Sequence, residues 1–261
     1  MQDKLKPNKK LGQNFLINKF TINTIIEILN ISNNDLILEV GPGKGALTES
    51  IIKKTNSYIG IEKDNNLCNI LRKNYKNKID IRNEDILKID FKNLYKEKYK
   101  IVGNIPYNIS SKLLLKCIEY KEEITDIHFM MQKEFVDRVI SKHGNKSYGR
   151  LSVLIQLFFI TEKYIDIHPA DFYPPPKIYS SFMSLTPRKK ILLKKNEIND
   201  FLLFSKLIFN TRRKKIKNCI NLGDEALYDN IEKRAEELSI EEMIKLYRDI
   251  KNDGKSIQNC G

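Results

Sequence analysis

Leu36-Ile37-Leu38-Glu39-Val40-Gly41-Pro42-Gly43-Lys44-Gly45 passes directly from a short apolar run into a turn built on three glycines. Five residues, apolar except for Glu39, suit a strand buried on both faces of a sheet. The glycines allow tight turning and close backbone approach to a ligand, and residues 46–54 read as the helix beyond them. Strand, glycine loop and helix in that order are the context a nucleotide-type site requires. A plain strand–helix turn would use the same residue types.

Working outward, the chain alternates. Ile22, Ile25, Ile26 and Leu29 recur at helical spacing and predict a helix over 20–30. Downstream, strands over 57–61, 78–82, 99–102 and 126–132 are expected to alternate with helices over 65–74, 110–119 and 133–141. This alternation argues for an α/β doubly wound parallel sheet, with its ligand at the carboxyl ends of the strands. After a helix over 151–157, the β-rich runs 158–168 and 178–186 are joined by a link too short for a crossover helix, so they should be antiparallel. A parallel sheet ending in an antiparallel hairpin is the class I methyltransferase, Rossmann-like layout. The first domain is therefore set at residues 1–187, including a basic N-terminal arm. Residues 188–261 are expected to form a small all-α domain with helices over 197–221, 225–238 and 240–251.

Composition narrows the function. Hydrophobic residues are 41% of the 261, enough for a real core. No apolar run nears the roughly 18 residues of a membrane span. Lys4, Lys6, Lys9 and Lys10 are not followed by an apolar segment, so no secretory signal is expected and the protein should be cytoplasmic. Cys68, Cys117, Cys219 and Cys260 are scattered and the three histidines have no ligand spacing, so no metal is expected. The net charge of +13 is concentrated: residues 186–220 hold eleven Lys or Arg against Glu197 and Asp200. Such a footprint favours a nucleic-acid partner over simple lysine bias. Arg212, Arg213, Lys214, Lys215 and Lys217 are the candidate RNA contacts.

The glycine spacing separates two cofactor types. A dinucleotide loop has the form G-x-G-x-x-G and holds a pyrophosphate at the helix N-terminus. Gly41, Gly43 and Gly45 are spaced G-x-G-x-G instead, which fits S-adenosylmethionine, a molecule without phosphate. Glu39 would suit its ammonium. Glu62, ending the next strand, could accept from both ribose hydroxyls, and Asp85, after the third, from the adenine amino group. Either acid alone could equally be a solvated charge.

Gly103-Asn104-Ile105-Pro106-Tyr107 follows the fourth strand of this series. The Asn104 side-chain oxygen and the Ile105 carbonyl can accept both N–H bonds of an exocyclic amine, favouring a pyramidal nitrogen aimed at a methyl donor. Orientation of this kind supplies most of the catalysis. Pro106 stiffens the turn, and Tyr107 offers a face on which an unstacked adenine could lie. Phe172 could supply the opposite face or simply pack in the core.

Over nearly its whole length the chain resembles the small-subunit (16S) ribosomal RNA adenine N6,N6-dimethyltransferases. The stretches that carry the resemblance are Leu11–Leu16, Glu39–Thr48, Gly103–Ser111, Met131–Arg138, Tyr148–Val153, Phe172–Ile178, Thr211–Lys215 and Arg234–Ser239. Tyr179 departs from it, since relatives often carry a small or acidic residue there. The resemblance implies that Asn14, Leu16, Gly41, Glu62, Asp85 and Asn104 line the cofactor site, with S-adenosylhomocysteine as product. It also implies dimethylation of two adjacent adenosines in a hairpin near the 3′ end of small-subunit ribosomal RNA. The partner would be the immature small subunit. No self-complementary apolar stripe stands out in the sequence, so a monomer is expected.

Overall fold

A computed structural model of the chain describes residues 7–8, 11–220 and 228–253. Lys4, Lys6, Lys9, Lys10 and Cys260, named above, lie outside the described residues. The chain groups into two compact units. One runs to Val136 and adds Ile160–Pro187; the other joins Asp137–Phe159 to the chain from Arg188 onward.

The first unit holds a seven-stranded sheet. In chain order its strands are β2 (Leu36–Val40), β3 (Ser57–Glu62), β4 (Asp80–Asn83), β5 (Tyr99–Asn104), β6 (Ile124–Gln132), β7 (Phe159–Ile167) and β9 (Ser180–Pro187). A separate pair is formed by β1 (Phe15–Leu16) and β8 (Phe172–Tyr173). The large sheet is ordered β4-β3-β2-β5-β6-β9-β7. Its first five strands are parallel and β9 runs antiparallel to β6. The order reverses between β2 and β5. Loops leaving the carboxyl ends of those two strands diverge, and a crevice opens there.

Helices form where capping and apolar spacing agree. Helix α1 (Lys19–Leu29) starts at Asn18, whose side chain accepts from the backbone N–H of Phe20 and Thr21. It ends at Asn30 in the left-handed conformation, φ 41°. Ile25, Ile26 and Leu29 point into the core beside Ile37, Val102 and Phe182. Fully burying each such side chain contributes roughly 1.5–3 kcal/mol. Helix α3 (Asn65–Tyr75) is capped by Asp64, α4 (Ser110–Glu119) has the expected limits, and α5 (Lys133–Ile140) ends one residue before its expected limit.

The helix expected over 46–54 is reduced to α2 (Thr48–Ile51). The glycine turn uses up the residues before it, with Gly45 N–H donating to Pro42 O at 2.9 Å. The N-cap position is Leu47, which has no polar side chain to cap with, and the Thr48 hydroxyl donates to Glu39.

The second unit contains α6 (Arg150–Phe158), α7 (Ile198–Asn210) and α8 (Ile240–Asn252). Phe201 and Phe204 of α7 pack against Tyr247 of α8 at ring-centroid distances of 5.7 and 5.9 Å. Ser239 and Glu242 form a reciprocal cap at the start of α8. The single boundary expected at 187/188 therefore differs from the observed grouping, which also places 137–159 in this unit. Tyr148 packs edge-on against Phe209 at 6.2 Å, and Gly144 N–H donates to Glu236 O at 2.8 Å.

Two helical expectations need correction. The helix over 197–221 stops at Asn210, and the backbone beyond it turns (Lys214 N–H donates to Thr211 O) and bonds to 231–233 instead; residue 221 lies outside the described residues. Of the helix over 225–238, residues 225–227 lie outside the described residues, and 228–239 hold only a 3-10 turn at Ala235–Glu237. Asn230 there is left-handed, φ 66°. The backbone of this stretch bonds across to another segment, with Ile216 N–H donating to Lys233 O and Lys217 N–H to Ile231 O.

Candidate active site

A cleft opens at the carboxyl ends of β2, β3 and β5 and is lined by residues 11–16, the glycine loop, Glu62, Asp85 and Asn104–Ile109. Gly41 and Gly43 adopt φ of 64° and 61°, a region that side chains disfavour. At Gly43 a Cβ would also stand 3.1 Å from the Phe15 ring, which closes over the loop. Gly45, expected at the cofactor, is not in the lining. A Cβ there would meet Tyr75 Oη at 2.9 Å, so this glycine permits the turn to pack on α3.

Glu39 is 2% exposed, and its Oε2 accepts from Thr48 Oγ1 and Tyr58 Oη, each at 2.7 Å. Burial away from water, only partly offset by those hydrogen bonds, pushes its carboxyl up to about 7. Glu62 is held differently. Its Oε2 accepts from Gly43 N–H at 3.1 Å and its Oε1 from Asp64 N–H at 2.9 Å. Burial raises its titration too, against those backbone bonds. Asp85 pairs with Lys63 at 2.8 Å and accepts from Leu87 N–H at 3.0 Å. The Lys63 bond is the largest influence keeping it below the usual carboxylate range.

Asn104 ends β5. Its Nδ2 donates to the carbonyl of Asn14 at 2.8 Å. That bond orients the amide, and Oδ1 is left without a donor among the described residues. Ile105 N–H donates to Met130 O at 2.9 Å, which anchors the turn to β6, and the Tyr107 hydroxyl lies 3.2 Å from Ser180 Oγ.

Asn14 and Leu16 reach the cleft because the arm is pinned at two points. Gln13 Nε2 donates to Asp64 Oδ2 at 2.9 Å. At the other end Leu16 pairs with Phe172 and Phe15 with Tyr173. Asp171 completes the clamp. Its carbonyl accepts from Ile17 and Asn18 N–H, and its carboxylate from Asn18 Nδ2 (2.7 Å) and Thr21 Oγ1 (2.8 Å).

Asn14, Leu16, Glu39, Gly41, Gly43, Glu62, Asp85, Asn104, Ile105, Pro106 and Tyr107 thus share one cleft. Phe172 does not join them. It is 3% exposed and packs with Leu16 and Ile26 in the core, outside the residues that line the cleft. Thr48, Tyr58, Gln13, Asp64 and Asp171 support the site without having been singled out as site residues. Gln13, Asp64 and Asp171 act on partners more than 50 residues away and Tyr58 on one in another strand, so no local pattern marks them; Thr48 bonds Glu39 nine residues back, across the glycine turn. The lining fits a nucleoside that carries a free amino-acid tail: a buried acid for a ribose, an open glycine loop for charged tail groups, and apolar walls from Leu16, Ile86 and Pro106.

In the second unit, Arg212 binds Glu236 at 2.5 Å and also the Lys146 carbonyl. Lys215 and Lys217 both pair with Glu232 at 2.7 Å. Arg213 and Lys214 are exposed and form no ion pair among the described residues. No group of three His, Cys, Asp or Glu that could hold a metal occurs among the described residues, nor a helix long and apolar enough to cross a membrane.

The sequence model of a family described as ribosomal RNA adenine dimethylase matches residues 4–252. A protein of Wigglesworthia glossinidia brevipalpis named ribosomal RNA small subunit methyltransferase A is 41% identical over 251 residues, covering 92% of this chain and 96% of its own length. Its namesake in Neisseria meningitidis serogroup A is 37% identical over 247 residues, covering 92% and 95%. Among solved structures, a dimethyladenosine transferase from Plasmodium falciparum aligns with TM-score 0.82 at 24% identity, over 94% of this chain and all of that one. The 23S rRNA methyltransferase ErmE aligns with TM-score 0.73 at 24% identity, over 91% of this chain and all of that one. These two show likeness of fold.

Proposed function

The chain belongs to the ribosomal RNA adenine dimethylase family, and from that premise we propose that it dimethylates N6 of two adjacent adenosines in small-subunit ribosomal RNA. The target is a hairpin near the 3′ end of that RNA, met as a monomer on the immature subunit and coupled to its maturation. When bound, S-adenosylmethionine supplies the methyl as an already activated sulfonium and leaves as S-adenosylhomocysteine. Gly41 and Gly43 would hold its tail, with Glu39 nearby, Glu62 its ribose and Asp85 its adenine amino group.

The observation that carries the reading is the Asn104 amide, fixed by the Asn14 carbonyl at 2.8 Å with its oxygen unused among the described residues. That oxygen accepts one N–H of the target amine and the Ile105 carbonyl accepts the other. The nitrogen, a poor nucleophile while its lone pair is delocalised, becomes more pyramidal. Tyr107 stacks on the base, and base–aromatic stacking is worth about 1–3 kcal/mol. Positioning does most of the work, so no strong base is needed.

The test is methyl transfer from labelled S-adenosylmethionine to undermethylated small subunits, with the product nucleoside identified by mass. N6,N6-dimethyladenosine on small-subunit RNA is expected, and Asn104→Ala should abolish it while the glycine loop stays intact. Label on large-subunit RNA instead, or full turnover by the variant, would overturn the reading.

A further inference from the structure

Lys44 is the one residue of the glycine loop with a long charged side chain, and the cofactor assigned above carries no phosphate for it to hold. The residue is exposed. Its Nζ lies 4.9 Å from the centre of the Phe15 ring and 5.9 Å from that of Tyr173. It makes no hydrogen bond or ion pair with another described residue. Two aromatic rings therefore hold the ammonium by cation–π attraction while its hydrogen-bonding capacity stays open. The two rings differ in exposure: Phe15 is 7% exposed and Tyr173 is 54%. Phe15 and Lys44 line the cleft, whereas Tyr173 does not. The ammonium thus stands at the rim, between the cleft and an aromatic ring that faces solvent. Tyr173 keeps that place because its backbone pairs with Phe15.

We infer that Lys44 and Tyr173 form a rim subsite for the substrate RNA, separate from the pocket of the target adenine. The ammonium takes a backbone phosphate flanking the target nucleotide, and the tyrosine ring stacks on a neighbouring base. A phosphate is the ligand that an unpaired lysine at an RNA enzyme's rim recognises, and stacking on an exposed ring accepts any base. The inference rests on the proposal that the substrate is RNA.

The experiment uses the full chain and a 3′-terminal hairpin of small-subunit ribosomal RNA with unmethylated adenosines. RNA affinity is measured across a salt series, and S-adenosylmethionine affinity by calorimetry. Lys44→Met should lower the slope of log K against log salt by about 1, the loss of one phosphate contact. It should leave cofactor affinity unchanged, and Lys44→Arg should restore the slope. Tyr173→Leu should weaken RNA binding by roughly fivefold or more without changing the slope, and Tyr173→Phe should bind normally. An unaltered slope in Lys44→Met would overturn the inference. So would weakened cofactor binding with that unaltered slope, which would assign the lysine to the cofactor's carboxylate. Failure of the unmutated chain to bind or methylate RNA would instead overturn the functional proposal, and this inference with it.

Discussion

Glu39 shows how one residue can look like a ligand and act first as a structural group. Its carboxyl is buried and titrates near 7 rather than at its ordinary 4.5. The unfolded chain would titrate at the lower value, so folding takes up a proton between the two. Stability is therefore unaffected by this group below about pH 4.5, falls as pH rises through the window, and is level above about 7. The full cost of ionising it is on the order of 3 kcal/mol. Glu39→Gln keeps an oxygen for Thr48 and Tyr58 but cannot ionise. Its melting temperature should gain on the native protein as pH rises from 5 to 8; a constant difference across that range would refute the assignment. Glu39 was legible as an acid beside the glycine loop. Its pairing with Thr48 and Tyr58 was not, because Tyr58 comes from β3 and meets it only once the sheet has formed.

At the level of elements, the N-terminal arm is the least predictable part of the site. Phe15-Leu16 is too short to read as a strand, and its partner lies more than 150 residues away in β8. Asp171 is the clamp between them. Asp171→Ala should loosen the arm, misorient Asn104 through the Asn14 carbonyl and lower kcat, while α3 and the sheet keep their stability. Asp171→Asn should largely restore activity, since its oxygen can face Asn18 while its amide donates to the Thr21 hydroxyl. Equal loss in both variants, measured by turnover and cofactor dissociation, would count against the clamp. Other elements were read with their type correct and limits close, α4 to the residue. Those missed share a cause: the shortened α2, the end of α7 at Asn210 and the lost helix near 228–239 go with backbone or side-chain bonds made to partners outside the element, which outweigh local propensity.

For the whole molecule, ion pairing divides the cations of the basic run. Three of the five cations proposed to contact RNA are engaged by Glu236 or Glu232. Arg213 and Lys214 are the better candidates. Reversing both to Glu should reduce the salt slope of RNA binding by about 2; reversing Arg212 should instead lower the melting temperature, because it breaks a contact inside its own unit. Normal RNA binding by the double variant would show that this run is only a solvated face. By itself the sequence determined the strand–helix alternation, the cofactor-loop spacing and the Asn104–Tyr107 motif. These are encoded in neighbouring residues, through apolar period and glycine placement. Only the tertiary structure decided that Phe172 belongs to the core, that Gly45 serves the turn, which cations are already paired, and that Asp171 holds the arm. Those outcomes depend on contacts between residues far apart in the chain, and no local pattern records a partner that only folding brings near.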